Sequence, residues 1–312
     1  MTRPWPVLLL AAALSTLATA DGLRHRMRHP PPPSIPVDLY IDRALALYNE
    51  TLAQRADRLT TLYGGDLDAV VPWNGAGHAE TYLWDFFPPS FNCPFRHRLG
   101  RLSDGGKVVC NWETLRAQCA GDPNAAVIYS FGVRGDISFE VDLGQRTGCA
   151  IHAFDHTVAG LPQLAPNVVF TQVGLAAIDA SPTLLSLPTL MAQRGHTRVH
   201  LLKVDCENCE WTVFAELART GALATIDQLL IELHFKQAAT NVAGPDSGVR
   251  DVFGLFEALE GAGLYPFSWE VNHNAGAARM LPWVIEYSFV RARSPIMTDV
   301  GAWERVWAEG EM

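Results

Sequence analysis

The stretch Val127-Ile-Tyr-Ser-Phe-Gly-Val-Arg-Gly-Asp-Ile-Ser-Phe-Glu140 decides the fold class. It is apolar up to Phe131, as expected of a parallel strand that is covered on both faces. Gly132 and Gly135 follow at the point where the backbone must turn sharply and leave room for a ligand. A helix that begins after such a turn points free N–H groups and its positive dipole end toward the crevice. The stretch therefore predicts a strand, a glycine turn and a helix, the arrangement of a nucleotide-type site.

A second strand is predicted by Cys149-Ala-Ile-His-Ala-Phe-Asp155, which ends in an acid. Asp155 falls about twenty residues beyond the glycine turn, where folds of this kind place the carboxylate that binds a ribose. We therefore expect Asp155 to be a ribose ligand, with a helix cap or turn aspartate as the alternative. Because Gly132-Val-Arg-Gly135 lacks the three-glycine dinucleotide fingerprint, a nucleotide-dependent oxidoreductase is disfavoured.

Strands and helices alternate in the rest of the chain. The further strands are predicted at residues 167–173, 199–204, 226–233, 264–270 and 283–290, and the helices between them at 183–194, 211–220 and 249–261. This alternation predicts a doubly wound, mainly parallel seven-stranded α/β sheet with helices on both faces. The last two strands have no evident helix between them, so one of them is expected to run antiparallel. Because ligands lie outside the carboxyl ends of such strands, we expect Gly132, Asp155, Asp205 and His234 to converge on one crevice.

The N-terminus has the layout of a secretory signal over residues 1–20, with a cleavage point near Asp21. An uncleaved signal-anchor, the one route to a membrane, is the alternative. Residues 21–36 are a proline-rich linker, and residues 37–120 form an N-terminal accessory segment of helix and loop with a helix over 38–62. Residues 121–293 are the main domain and 294–312 a C-terminal tail. In the accessory segment, Arg96 and Lys107 either hold an anionic or carboxylate group or are solvated charges of a hairpin.

Composition and charge fit a folded, enzyme-sized protein. The 312 residues are 48% hydrophobic, which is enough for one large core, and the net charge of -9 argues against nucleic-acid binding. The even number of cysteines suits the oxidising lumen of the secretory pathway. We expect Cys93 to pair with Cys110 and Cys119 with Cys149. Cys206 and Cys209 form a C-x-x-C, for which a local disulfide or two packed thiols are favoured over zinc because no clustered further ligands are present.

Several motifs resemble those of one enzyme family. Tyr129-Ser-Phe-Gly-Val, His152-Ala-Phe-Asp155, Leu202-Lys-Val-Asp-Cys-Glu-Asn-Cys-Glu-Trp211 and Leu230-Ile-Glu-Leu-His234 are similar to successive motifs of class I S-adenosylmethionine (SAM) methyltransferases, and more narrowly of the FkbM-type and methyltransferase-like group. The upstream Asn92-Cys-Pro and Asp104-Gly-Gly-Lys-Val-Val-Cys110 resemble that group's N-terminal signature. The resemblance covers residues 84–290. Its most specific part is similar to the pattern K-x-D-x-E-G-x-E, with Asn208 in the glycine position.

The resemblance implies a Rossmann-like fold and SAM as the cofactor. Phe131, Gly132 and Gly135 then let the methionine end of SAM lie against the backbone. Asp155 holds the ribose, and Gly174 borders the adenine. The implied activity is a SAM-dependent methyltransferase, which we expect to be O-directed and to act on a small molecule or a glycan. The alternative is a non-catalytic lumenal binding protein that retains the fold.

The acceptor side of the site is an acidic cluster with one imidazole, formed by Asp205, Glu207, Glu210, Glu232 and His234. If the acceptor is a hydroxyl, His234 or Asp205 could take its proton. A divalent cation bound by Asp205, Glu232 and His234 is a less favoured alternative. For Glu207 and Glu210, the alternative role is to complement the dipole of the helix that follows.

Overall fold

The computed structural model describes residues 36–72, 83–102, 105–161, 165–235, 247–272, 284–299 and 301. The predicted signal, the linker before Pro36 and most of the tail lie outside these residues. The helices are α1 (Val37–Tyr63), α2 (Trp112–Cys119), α3 (Ser138–Thr147), α4 (Leu187–Arg194), α5 (Cys209–Arg219), α6 (Val249–Gly261) and α7 (Pro295–Thr298). The strands are β1 (Arg96–Leu99), β2 (Lys107–Cys110), β3 (Ile128–Phe131), β4 (Ile151–Phe154), β5 (Val168–Thr171), β6 (Gly174–Leu175), β7 (Leu184–Leu185), β8 (Leu201–Val204), β9 (Gln228–His234), β10 (Leu264–Val271) and β11 (Val284–Arg291).

The main sheet has seven strands within the described residues, in the order β10-β11-β9-β8-β3-β4-β5. Strands β9, β8, β3, β4 and β5 are parallel to one another, whereas β11 is antiparallel to both β9 and β10. The predicted doubly wound sheet with an antiparallel strand near its end is therefore confirmed. No described helix is both long and apolar enough to cross a membrane.

Both faces of the central strands are buried. On one face, Tyr129 and Phe131 of β3 pack with Phe154 of β4. On the other face, Ile128 and Ile151 belong to a second apolar cluster. Burial on both faces thus explains the continuous apolar runs of the sequence, because each face of a strand needs its own apolar side chains.

The predicted helix over residues 183–194 is wrong in its first turn. Leu184–Leu185 instead forms a short strand that pairs with Gly174–Leu175. The helix begins at Leu187, where the Ser186 side chain accepts a hydrogen bond from the backbone N–H of Thr189. A serine cap followed by a proline in the first turn fixes that start.

The accessory segment packs directly on the sheet. Strands β1 and β2 form an antiparallel hairpin, and a disulfide joins Cys93 to Cys110 at its base. Lys107 holds a carboxylate group, which is one of the two roles predicted for it, and Arg96 is exposed on the predicted hairpin. Lys107 is buried in an ion pair with Glu286 of β11, and Arg96 donates a hydrogen bond to the carbonyl of Phe267. The pairs Cys119–Cys149 and Cys206–Cys209 are also disulfides, so the expected pairing is confirmed.

Candidate active site

The carboxyl ends of β4, β3, β8 and β9 bring the predicted site residues to one edge of the sheet. The backbone N–H of Gly132 donates to the carbonyl of Phe154, at 2.9 Å. On the other side of β3, the N–H of Asp205 donates to the carbonyl of Phe131, at 3.2 Å. His234 is the last residue of β9, which is the next parallel strand beyond β8. The residues that follow these four strands therefore lie along one edge of the sheet.

Glycine is required at position 132 by the neighbouring strand. Gly132 has a φ of +79°, and a Cβ built there would lie 1.7 Å from the carbonyl oxygen of Asp205. The turn after β3 is thus fitted against the turn after β8. By contrast, apart from its chain neighbours, no described residue has a heavy atom within 4 Å of a Cβ placed on Gly135, so there is open space beside this glycine among the described residues.

The Asp155 carboxylate is held in position at the end of β4. The side chain is buried, and its Oδ1 accepts hydrogen bonds from the backbone N–H and the Oγ1 of Thr157, at 2.7 and 2.6 Å. Asp155 therefore forms the turn that was the alternative to its role as a ribose ligand. The turn engages only one of the two carboxylate oxygens in these contacts, so the same geometry leaves Asp155 suited to bind a ribose hydroxyl.

Two other predicted cofactor residues, Phe131 and Gly174, are also constrained by packing against neighbouring side chains. The Phe131 ring is buried and stacks on Phe154, with 4.6 Å between ring centroids, so that only its backbone can border a ligand. Gly174 is buried in β6, and a Cβ there would lie 2.4 Å from Nδ1 of His156. His156 follows Asp155 in the chain, and Gly174 therefore lies beside the predicted ribose end of the site.

The turn after β8 has an unusual backbone conformation. Glu207 and Asn208 have φ angles of 55° and 85°, in the left-handed region. Asparagine tolerates this conformation better than most residues other than glycine. Asn208 therefore preserves the turn geometry that the family pattern achieves with glycine. Helix α5 begins directly after this turn, at Cys209.

Glu210, in the first turn of α5, orients His234. Its Oε1 accepts hydrogen bonds from the backbone N–H of His234, at 2.7 Å, and lies 3.0 Å from Nδ1 of the same residue. The other ring nitrogen, Nε2, lies 3.4 Å from Oε2 of the exposed Glu207. Burial alone would lower the pKa of His234, but the hydrogen bond and charge of Glu210, with the charges of Glu232 and Asp205, raise it to about 9. His234 is therefore a cation at neutral pH.

A largely buried network of three carboxyl groups and two lysines lies beside His234. Burial and the charges of Glu286 and Asp205 raise the pKa of Glu232 to about 9. Burial would also raise the pKa of Asp205, but the charges of Lys203 and Lys107 hold it below its usual value. At neutral pH, Glu232 is thus a neutral acid that hydrogen-bonds the ionised Asp205.

The predicted metal ligands are only partly brought together. Among the described residues, the group whose ligand atoms lie within 4.8 Å of one another is Asp205, Glu207 and His234. Glu232 is not in this group, which corrects that part of the prediction, because it bonds Asp205 and accepts from Asn272 at 2.8 Å. A protonated imidazole has no lone pair for a metal, so a cation would have to displace the proton of His234.

The sequence alone did not identify Lys107 and Glu286 as parts of this site. Glu286 lies directly opposite Glu232 in the antiparallel pairing of β11 with β9. Two adjacent buried carboxyl groups require a positive charge or a proton, and Lys107 supplies the charge from the accessory hairpin. The available signal was an isolated glutamate in an otherwise apolar strand.

The geometry defines a Rossmann-like protein with a candidate site at the carboxyl edge of its sheet. Residues 49–290 match the family described as "Methyltransferase domain". The chain therefore belongs to this methyltransferase family. The predicted methyltransferase identity is confirmed at the level of the family.

Individual relatives are more distant. "Probable methyltransferase-like protein 24" of Homo sapiens is 29% identical over 145 residues, which are 43% of this chain and 39% of the human protein. The Rattus norvegicus protein of the same name is 28% identical over 145 residues, 43% of this chain and 40% of that protein. The matched region thus spans about two fifths of the length of these relatives.

Solved structures share lower similarity. A TehB-like SAM-dependent methyltransferase from Corynebacterium glutamicum has 14% identity and a TM-score of 0.31, over 57% of this chain and 87% of that chain. A putative S-adenosylmethionine dependent methyltransferase from Listeria monocytogenes has 10% identity and a TM-score of 0.34, over 58% of this chain and 97% of that chain.

Proposed function

We propose that this protein transfers a methyl group from SAM to a hydroxyl of a small molecule or glycan in the secretory pathway. The observation that carries the proposal is the convergence of Gly132, Asp155, Asp205 and His234 on one edge of the sheet. SAM supplies an electrophilic methyl carbon, and its displacement by an oxygen needs alignment more than covalent help. The residues at this edge therefore have to bind and orient SAM and the acceptor, and to take up one proton from the acceptor hydroxyl.

On the cofactor side, the proposal gives each residue a separate contact. The Asp155 carboxylate accepts hydrogen bonds from the ribose hydroxyls, while its turn with Thr157 keeps the side chain in place. The backbone from Phe131 to Gly135 borders the methionine end, where the open space beside Gly135 admits a ligand. Gly174 borders the adenine end. The ionised Asp205 and the other acids favour a cofactor that carries a sulfonium charge.

On the acceptor side, His234 and Asp205 handle the proton of the hydroxyl. Glu210 engages Nδ1, which leaves Nε2 of His234 toward Glu207 and the crevice. In its neutral form, His234 would accept the hydroxyl proton at Nε2, and Asp205 would stabilise the resulting cation. The net charge of -9 makes a polyanionic acceptor such as nucleic acid unfavourable.

Calorimetric titration with SAM and with its demethylated product tests the proposal. We expect Asp155→Ala to weaken binding roughly ten- to hundredfold, because a hydrogen bond to a charged group contributes about 1.5–3 kcal/mol. Thr157→Val is the matched control, since it removes one hydroxyl from the Asp155 turn and keeps the carboxylate. Absence of binding by folded, oxidised protein would contradict a SAM-dependent enzyme and favour the non-catalytic alternative.

Two observations support the secretory pathway as the location. The N-terminal sequence has the layout of a signal, and all six cysteines are paired, as is common in oxidising compartments. Asn49-Glu-Thr51 is an N-glycosylation sequence whose asparagine is exposed on α1. In a eukaryotic cell, we expect a glycosidase to increase the gel mobility of the protein, and Asn49→Gln to abolish that change. An unglycosylated protein with reduced cysteines would contradict this location.

A further inference from the structure

One of the three disulfides differs from the others in exposure and position. Cys93, Cys110, Cys119 and Cys149 are all buried, with at most 5% of their surface exposed. Cys206 and Cys209 are only partly buried, and they are three residues apart in sequence. A thiol in solution can therefore reach the Cys206–Cys209 bond more easily than either of the other two.

This disulfide closes the turn that joins the acidic residues of the candidate site. Asp205 precedes Cys206, and Glu210 follows Cys209. Between the two cysteines, Glu207 and Asn208 both have left-handed backbone conformations, which residues other than glycine adopt at a cost. The disulfide fixes the ends of this two-residue segment and so helps to maintain a conformation that the residues themselves disfavour.

We propose that Cys206–Cys209 is a thiol–disulfide exchange site that controls the candidate active site, with a small dithiol or a dithiol protein as its reductant. A thiolate of the reductant attacks Sγ of Cys206, and Cys209 leaves with the bonding electron pair. The second thiol of the reductant then attacks the mixed disulfide and releases Cys206. The protein gains two electrons and two protons, and the reductant becomes a disulfide.

The position of Cys209 favours this direction of attack. Cys209 is the first residue of α5, so the positive end of the helix dipole stabilises a thiolate at that position. A better leaving thiolate makes exchange at the partner sulfur faster. The bond thus combines access for a thiol with a stabilised leaving group.

Reduction would change the site through the two ends of the turn. At one end, the carbonyl of Asp205 lies against Gly132, where a Cβ would come within 1.7 Å of it. At the other end, Glu210 holds both the backbone and the ring of His234. Once the turn relaxes, Glu207 leaves its place beside Nε2 of His234, and the contact between Asp205 and the glycine turn loosens. This inference rests on the proposed function for its effect on SAM.

The first part of the test measures which disulfide is reduced. The full-length oxidised protein is incubated in dithiothreitol buffers of decreasing potential, its thiols are alkylated, and each cysteine is quantified by mass spectrometry. We expect Cys206 and Cys209 to be alkylated together and before the four buried cysteines. Simultaneous reduction of all three disulfides, or earlier reduction of a buried pair, would overturn the exchange site whether or not the protein binds SAM.

The second part measures SAM binding at the potential where only this pair is reduced. We expect the dissociation constant to rise roughly ten- to hundredfold, because small misplacements of positioned groups have effects of that size. An unchanged constant would overturn the control of the site. If the oxidised protein binds no SAM, the proposed function fails, this control fails with it, and the exchange site is decided by the alkylation order alone.

Two variants separate control of the site from general damage to the fold. Cys206→Ser with Cys209→Ser should bind SAM as weakly as the selectively reduced protein, at every potential. Adding Asn208→Gly should recover part of the affinity, because glycine adopts the left-handed conformation without the disulfide. Binding by the double serine variant that equals that of the oxidised protein would contradict the proposal. Should that variant fail to fold, the measurement on the reduced wild-type protein still decides.

Discussion

At the scale of single residues, neighbouring charges in the candidate site determine one another's protonation state. His234 lies beside Glu210 and Glu207, and against the effect of burial the hydrogen bond and charge of Glu210, with the charges of Glu232 and Asp205, raise its pKa to about 9. The imidazole was predicted to take a proton from the acceptor. Its surroundings imply that it does so only after losing a proton of its own, and hence more readily at alkaline pH.

We expect the His234 imidazole to titrate with a midpoint near 9, measured by NMR of its ring nitrogens. Glu210→Gln should lower that midpoint, because burial then opposes the imidazolium without the carboxylate that offsets it. Glu216→Gln is a suitable control, since Glu216 is paired with Arg219 on the same helix. Equal midpoints in the wild-type and Glu210→Gln proteins would show that Glu210 does not set the protonation state of His234. Acceptors should accordingly be screened up to about pH 9.

At the scale of helices and strands, the site is formed by two turns that fit against each other. The turn after β3 uses a glycine to admit the carbonyl of Asp205, and the turn after β8 uses Glu207 and Asn208 in left-handed conformations. Their close approach explains why a two-glycine turn suffices here. Gly132 serves the contact between strands, and Gly135 provides space on the open side.

We expect Gly132→Ala to destabilise the protein by at least about 2 kcal/mol, because alanine is disfavoured at a φ of +79° and its Cβ would overlap Asp205. The free energy of unfolding in urea measures this effect. Gly135→Ala is the matched control and should change that energy by less than about 0.5 kcal/mol. The same Gly135→Ala variant should weaken SAM binding if the backbone there borders the cofactor. A stable Gly132→Ala protein would contradict the close fit of the two turns.

The order and type of the main elements could be predicted from the sequence, because apolar strands and amphipathic helices have different periods. The strand β9 and the helix α6 are examples, with α6 found at its predicted bounds. The pairing of Gly174–Leu175 with Leu184–Leu185 could not be predicted, since two-residue strands have no period to detect. The conformation of Asn208 was also beyond sequence reasoning, because it depends on a turn that asparagine and glycine can both form.

At the scale of the whole molecule, the accessory segment is part of the site. Lys107 comes from the N-terminal hairpin and pairs with Glu286, which is 179 residues away in sequence. Charges brought together over such a separation leave no local pattern, and this explains why the pairing of Lys107 with Glu286 was not predicted. The pairing also means that the hairpin cannot be removed without leaving Glu286 buried and uncompensated beside Glu232.

The same network makes stability depend on pH. Burial and neighbouring charges raise the folded-state pKa of Glu232 from 4.5 to about 9, and burial raises that of Glu286. A carboxyl group whose pKa is higher in the folded state binds its proton more tightly there than in the unfolded chain. Its stabilising contribution is complete below pH 4.5 and is lost progressively as the pH rises toward 9.

We therefore expect Glu232→Gln to reduce the loss of stability between about pH 5 and pH 9, because glutamine keeps a hydrogen-bonding group at this position and has no proton to lose. Urea unfolding at a series of pH values, compared with the wild-type protein, measures the difference in slope. Glu270→Gln is the control, since Glu270 lies on β10, which β11 separates from β9, and its ion pair with Arg98 is partly exposed. A slope that stays the same in Glu232→Gln would mean that Glu232 is already ionised at neutral pH. In that case Asp205 and Glu232 would carry two negative charges side by side. A divalent cation, which a protonated Glu232 and a protonated His234 disfavour, would then explain the cluster better.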